Sequence, residues 1–259
     1  MTAGLAVVTG AARGIGAAVA TRLATTGWSL LLVDACAPQP GIDYPMPVPG
    51  DLADVARACV AAGAPSVQEL IADVGAGAVR DQVKAALGQR APAAVITAAG
   101  LIAGHPAWAV PDDTFSLMIR VNLLGVRHLA DACVPAMIEA GQGRFVAIAS
   151  AAALRAMPRL AAYSAAKGAV VSYVRALAAD LAGTGVTANA ICPGSTRGAM
   201  LTASADIYDL PDAEAFAAQA LLRRLLAPEE IAAAACWLCG PDASALTGAV
   251  LPVDAGLSS

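Results

Sequence analysis

The chain is poor in charge and in aromatic groups. Charged residues fill 14% of its 259 positions and aromatic residues 4%, and it has only two histidines. Soluble chains average about 25% charged residues. With hydrophobic residues at 58%, this balance excludes intrinsic disorder, which needs low hydrophobicity and high net charge. A net charge of −4 leaves no basic excess, so no nucleic-acid or anionic membrane surface is expected as a partner. No uninterrupted apolar run reaches the roughly 18–20 residues a spanning helix needs; the most apolar windows, 28–37 and 231–239, are shorter. No positive charge precedes Arg13, so no secretory signal is expected. Six cysteines (36, 59, 133, 192, 236, 239) do not make a disulfide framework, and a reduced, cytoplasmic setting is the expectation. Repeats and long charge runs are missing as well. The mean hydropathy of +0.65 comes largely from alanine, as expected for a large buried core and subunit contacts.

What is present is a strand–helix alternation. Apolar runs at 5–8, 29–33, 68–72, 94–97, 145–149, 187–191 and 249–253 read as strands. Helices are expected at 17–26, 51–62, 79–87, 160–182 and 228–238, with a long helix or broken pair at 113–140. Gly27 stops the first helix and Asp51 caps the second. Repeated β-α-β units imply an α/β fold, a doubly wound parallel sheet of about seven strands with helices on both faces, as one domain over 1–259. The strands should be apolar on both sides. Five prolines (38, 40, 45, 47, 49) forbid regular helix or central strand between them.

Thr9-Gly10-Ala11-Ala12-Arg13-Gly14-Ile15-Gly16 follows the first strand and opens the first helix. Glycines there permit a tight turn and close backbone approach to a pyrophosphate, which the helix N-terminus favours. Asp34 ends the second strand, 18 positions after Gly16. A carboxylate at that point accepts ribose hydroxyls and repels a 2′-phosphate, which favours NAD over NADP. Arg13 is a counter-signal, since a guanidinium nearby suits a 2′-phosphate.

Tyr163 and Lys167 stand at i and i+4 of an expected helix and share a face. An ammonium beside a phenol lowers its pKa toward the range useful for acid–base work. Ser150 falls at the end of the preceding strand, where sheet-end residues face the ligand crevice, and its hydroxyl suits a substrate oxygen.

Thr9-Gly10-x-x-x-Gly14-x-Gly16, Ala98-Ala99-Gly100, Asn122, Ser150, Tyr163-x-x-x-Lys167 and Pro193-Gly194 appear in the order of the short-chain dehydrogenase/reductase family. The closing Leu251-Pro252-Val253-Asp254-Ala255-Gly256 also resembles that family, and the likeness covers nearly the whole chain. The resemblance implies a Rossmann-type fold with catalytic Ser150, Tyr163, Lys167 and Asn122. Tyr163 is the implied general acid/base. Lys167 would lower its pKa and bind the nicotinamide ribose, Ser150 would orient the substrate oxygen, and Asn122 would hold a helix bend. It implies cofactor contacts at Gly10, Arg13, Gly14, Ile15, Gly16, Asp34, Asp73, Val74, Ala98, Ala99, Gly100, Tyr163, Lys167, Pro193, Gly194 and Thr196, and a homotetramer built on helices 113–140 and 160–182. Two departures stand out: Thr97 replaces the usual asparagine, and Gly198 stands where a threonine often touches pyrophosphate.

Asp34 and Asp73 lie 39 positions apart, against the roughly two dozen that an ordinary crossover needs. The surplus at 38–66 resembles that of mycofactocin-dependent short-chain dehydrogenases, whose NAD does not exchange freely. It implies a lid over the adenine half of the cofactor and mycofactocin as an external electron acceptor; a surface Ω-loop is the alternative. Residues 195–226, with Met200, Leu201, Ile207, Tyr208 and Leu210, are expected to cover a small apolar alcohol or ketone. A freely exchanging NAD(P)H carbonyl or 3-oxoacyl-thioester reductase, and an inactive dinucleotide-binding scaffold, are the competing functions. No metal site is expected. Cys236 and Cys239 read as buried small hydrophobes despite their CxxC spacing, Arg223 and Arg224 as surface residues, and His105 as a better site candidate than His128.

Overall fold

Alternate residues of each central strand serve opposite faces of one sheet. In β1 (Leu5–Thr9), Ala6 and Val8 enter one core cluster and Val7 the other; β2 (Ser29–Asp34) divides Leu30 and Leu32 from Leu31 and Val33 in the same way. That period of two buries continuous apolar strands on both sides. The computed structural model describes residues 4–259. Its elements continue as β3 (Val67–Ile71), β4 (Ala94–Thr97), β5 (Gly143–Ile148), β6 (Val186–Pro193) and β7 (Val250–Val253), all parallel, in the order β3-β2-β1-β4-β5-β6-β7. The fold is the expected Rossmann-type single domain. The order reverses between β1 and β4, so the crevice for a ligand opens at the carboxyl ends of those strands.

Helices α1 (Gly14–Ala24), α2 (Pro49–Ala61) and α8 (Pro228–Cys239) cover one face, through Val19, Leu23, Leu52, Ile231 and Leu238. On the other face lie α3 (Val79–Leu87), α4 (Asp112–Ile119), α5 (Gly125–Glu139) and α6 (Ala161–Asp180), through Val83, Leu117, Leu129, Met137 and Val174. α7 (Ala199–Ile207) stands at the mouth of the crevice. Phe145 of β5 is wholly buried. Phe145→Ala is expected to cost about 3–5 kcal/mol of stability, read as a lower denaturation midpoint at unchanged m-value.

Three expectations need correction. β3 is not apolar on both faces: it is the sheet edge, and Gln68 and Glu69 are exposed, a polarity that discourages pairing with other chains. α2 begins before Asp51, with Pro49 in its first turn; the Asp51 carboxylate accepts the Val48 N–H at 2.8 Å from inside the helix. Of the two forms expected at 113–140, the structure takes the broken pair: two helices joined by a wide turn, Arg120–Leu124, which carries Asn122. Finally, α4, that turn and α5 run continuously over Asp112–Glu139, long and apolar enough by length and composition to cross a membrane. The short windows missed it because polar residues interrupt its apolar ones. Of its most apolar window, 61% is buried inside the protein, as suits a core helix.

Candidate active site

The glycine-rich turn between β1 and α1 is built so that only glycine fits. Gly10 has φ +65°, and a Cβ on it would lie 2.6 Å from the Ala99 amide nitrogen; one on Gly16 would overlap the Gly10 carbonyl oxygen. Gly14, at φ +56°, faces open space. Arg13, which precedes α1, makes no side-chain cap, and the first turn holds no acidic residue. The unfilled N–H groups at that end, with the helix dipole behind them, therefore remain available to an anion.

Asp34 is buried where β2 ends. Its Oδ2 accepts the Ala12 N–H and its Oδ1 the Cys36 N–H, both at 3.1 Å. Each carboxylate oxygen keeps a further lone pair, and the residue lines the crevice. Asp73 lines it too, with Oδ1 accepting the Gly75 N–H at 2.8 Å and Oδ2 accepting Arg120 Nη1 at 2.7 Å.

All these groups open onto one cavity of about 650 Å³. Gly10, Arg13, Gly14, Ile15, Gly16, Asp34, Asp73, Val74, Ala98, Ala99, Gly100, Ser150, Tyr163, Lys167, Pro193, Gly194 and Thr196 all line it. Of the site residues expected from the sequence, only Asn122 stands behind the wall. It is fully buried, its Oδ1 accepting the Leu101 N–H at 3.1 Å and its Nδ2 donating to the carbonyls of Leu101 and Met118 at 3.0 and 3.1 Å. A Cβ on Gly100 would meet Asn122 Oδ1 at 2.9 Å, so that glycine lets the loop after β4 close on the bent helix. Thr97 Oγ1, at the departure from the family asparagine, is buried without a hydrogen-bond partner. Gly198 has φ +146° and open space beside it.

α6 carries Tyr163 and Lys167 one turn apart on its buried face, with Nζ 5.9 Å from the phenol ring centroid. Lys167 Nζ donates to the Ile148 carbonyl at 2.8 Å. Burial lowers the Lys167 pKa to about 8. Burial likewise pushes the Tyr163 phenol up to about 12, against the opposing hydrogen bond with Ser150. This corrects the expectation of an acidified phenol. Both groups leave water, the penalty falls on the charged form of each, and the ammonium points its proton at a backbone carbonyl.

A second feature spans the crevice. The segment expected as one insertion, 38–66, divides into a proline-rich strap at 38–48 and the ordinary crossover helix α2. Cys36, at φ +46°, turns the chain out of β2 into the strap. On one bank, Arg13 Nη1 donates to the Pro45 carbonyl at 2.6 Å, and the guanidinium carbon lies 5.9 Å from the Tyr44 ring centroid. On the other, Tyr44 Oη accepts the Ile102 N–H at 3.2 Å, and Arg120 Nη2 donates to Gln39 Oε1 at 3.2 Å. Ile42, Tyr44 and Met46 pack on the core, and Gln39, Met46 and Pro47 join the cavity wall. The sequence singled out this segment, but the Tyr44–Ile102 contact joins positions 58 apart, and no local pattern announces it.

Over the opposite end lies 195–226, with α7 and a short 3-10 turn at Ala213–Gln219. Leu201, Phe216 and Leu225 form its own small core, and Tyr208 meets Phe216 edge-on at 5.8 Å. Tyr208 Oη donates to the Pro158 carbonyl at 2.7 Å. His105 is absent from the cavity wall, and its backbone N–H donates to the Arg159 carbonyl. His128 is buried with Nδ1 at 2.8 Å from the Val74 carbonyl. Burial pushes the Cys236 thiol up to about 12 and Cys239 higher, and all six cysteines are free. Among the described residues no cluster is fit to hold a metal ion.

The family described as Enoyl-(Acyl carrier protein) reductase matches residues 10–258. The chain belongs to the short-chain dehydrogenase/reductase family. It is thus an oxidoreductase of the dehydrogenase/reductase type. It is 33% identical over 260 residues to an uncharacterized NAD-dependent oxidoreductase of Mycobacterium tuberculosis, covering 97% of this chain and 94% of that one. It is also 33% identical over 254 residues to galactitol 2-dehydrogenase (L-tagatose-forming) of Cereibacter sphaeroides, covering 97% and 93%. The crystal structure of carveol dehydrogenase from Mycobacterium avium in complex with NAD superposes with a TM-score of 0.93 at 28% identity, covering 98% of this chain and 96% of that one.

Proposed function

We propose that this short-chain dehydrogenase/reductase transfers hydride between NAD and a secondary alcohol or ketone. The observation that carries the reading is the cluster of half-buried Ser150 with buried Tyr163 and Lys167 on the wall of the same cavity as the glycine-rich turn and Asp34. The residues fit the cofactor. Gly14 leaves a cradle that a Cβ would fill, α1 offers its free N–H groups to a pyrophosphate, and Asp34 keeps a lone pair on each oxygen for a ribose diol. The NAD-dependent relative and the NAD-bound neighbour support the same choice. When bound, NAD supplies or accepts the hydride.

The chain's own groups handle the proton. Ser150 holds the substrate oxygen and Tyr163 Oη moves the proton to or from it. Lys167 holds the nicotinamide ribose, and its ammonium favours the phenolate as that proton leaves. Asn122 fixes the bend of Arg120–Leu124 and the loop after Gly100. With the phenol raised to about 12, Tyr163 is protonated through neutrality. Ketone reduction is therefore expected to be flat in pH there. Alcohol oxidation, which needs the phenolate beside the Lys167 ammonium, is expected to rise about tenfold per pH unit up to about pH 8, where Lys167 loses its proton, and to level off above it, as read from kcat/KM profiles in both directions.

The cofactor choice is tested by titration with NAD and NADP. Asp34→Ala is expected to weaken NAD by about 10–100-fold and to narrow the preference over NADP; an unchanged NAD affinity contradicts the reading. The strap engages Arg13 through Pro45 and Tyr44, which argues against a 2′-phosphate role. The strap supports slow NAD exchange, with mycofactocin as the acceptor that returns the cofactor to its oxidised form. Apolar side chains on the lid wall, among them Met200, Leu201 and Phe216, support a substrate apolar around its carbinol. Exposed Phe115 and Ile138 on α4 and α5 support a homotetramer built on helices 113–140 and 160–182.

A further inference from the structure

We propose that Arg155 makes this pocket selective for substrates that carry a planar oxyanion, a carboxylate or sulfonate, on an otherwise apolar body. The inference rests on the dehydrogenase reading above and concerns the substrate end of the same cavity.

The charges on the cavity wall are unevenly placed. Its two acidic residues, Asp34 and Asp73, both follow the strands at the cofactor end, and Asp73 is paired with Arg120. Four cations line the wall. Arg13 is held by the strap, Lys167 is buried against Ile148, and Arg197 forms an ion pair with Glu214. Arg155, like Arg13 and Lys167, has no carboxylate partner among the described residues, but it is tied neither to the strap nor to the catalytic helix and follows Ser150 by five positions. Its Nη1 donates to the Leu257 carbonyl at 2.8 Å. That bond anchors one of the five guanidinium donors on the cavity wall and leaves the others free.

Arg155 follows Ser150 on the same loop and touches Leu257, and the same cavity wall carries Met157, Leu160 and Phe216. A neutral apolar ligand that fills this space strips water from part of the guanidinium and returns nothing. An oxyanion returns two parallel charge-assisted hydrogen bonds, which the arginine fork fits and a lysine does not. The selectivity therefore has two sources, attraction of the anion and a desolvation cost imposed on neutral ligands. A purely architectural Arg155, tying down the chain end through Leu257, would treat the two ligand classes alike.

The test is calorimetric titration of the protein as purified with 4-acetylbenzoate and with 4-methylacetophenone, similar in shape and different in charge. The carboxylate is expected to bind about tenfold or more tightly than the neutral ketone, with a ratio that falls as salt is added. Arg155→Met is expected to bring the ratio close to one, by weakening 4-acetylbenzoate and tightening 4-methylacetophenone as the desolvation cost is relieved, and Arg155→Lys to retain part of it. Equal binding by the wild-type protein, or an equal loss of both ligands in Arg155→Met, overturns the proposal. Turnover of either ketone is scored separately. Selective binding without turnover leaves the anion site standing and removes the dehydrogenase reading; turnover without selectivity does the reverse.

Discussion

Tyr163→Phe is expected to lower kcat/KM for the alcohol by about 10²–10⁴-fold, the range that a positioned acid–base group contributes. Affinity for NAD should be little changed. The phenol ring is buried on α6 and packs in the core beside its hydroxyl function, so phenylalanine keeps the packing and removes only the oxygen. Ser150 loses the group it faces but keeps the Ala152 N–H at 3.1 Å, and Lys167 keeps the Ile148 carbonyl. A loss of unfolding stability larger than about 1 kcal/mol would mean that the hydroxyl serves the fold, and full activity in the variant would remove Tyr163 from the mechanism. The check is steady-state kinetics beside a cofactor titration on one preparation.

Loss of the strap contacts is expected to have the next largest effect. Arg13→Ala with Tyr44→Ala removes the charge-assisted bond to Pro45, the stacking of Arg13 on Tyr44 and the bond from Ile102. At about 1.5–3 kcal/mol for a charged hydrogen bond and about 1 kcal/mol for each of the other two, strap opening becomes easier by about 300–4,000-fold. NAD release, if gated by that opening, accelerates by the same factor. Occupancy after gel filtration and the release rate in a stopped-flow chase measure it. An unchanged rate in the double variant means that residues 38–48 lie over the crevice without gating it.

The fold was legible because its signals are local. Continuous apolar runs bounded by glycine and proline mark buried parallel strands, and every expected strand has its counterpart in the sheet. β3 departs from the apolar rule for a reason no local pattern contains, its place at the edge. The site residues were legible as an ordered set of motifs, and the cavity gathers all of them but Asn122, which braces the wall from behind. The electrostatics were less so. The i, i+4 spacing brings Lys167 beside Tyr163, but only the fold reveals that both lose their water and that the ammonium is turned to Ile148. Long-range partners were illegible for the same reason: Arg13 with Pro45, Tyr44 with Ile102 and Arg155 with Leu257 are contacts between distant segments.

The most direct measurement is a single turnover. Protein saturated with NAD is mixed with a secondary alcohol, and the appearance of reduced nicotinamide is followed by its absorbance. The account predicts reduced cofactor in the wild-type protein, slowed in step with the loss of the phenol in Tyr163→Phe, and a primary isotope effect when the carbinol hydrogen is deuterium. Equal rates in the two proteins, or no reduced nicotinamide from a panel of alcohols bound beside NAD, would contradict it.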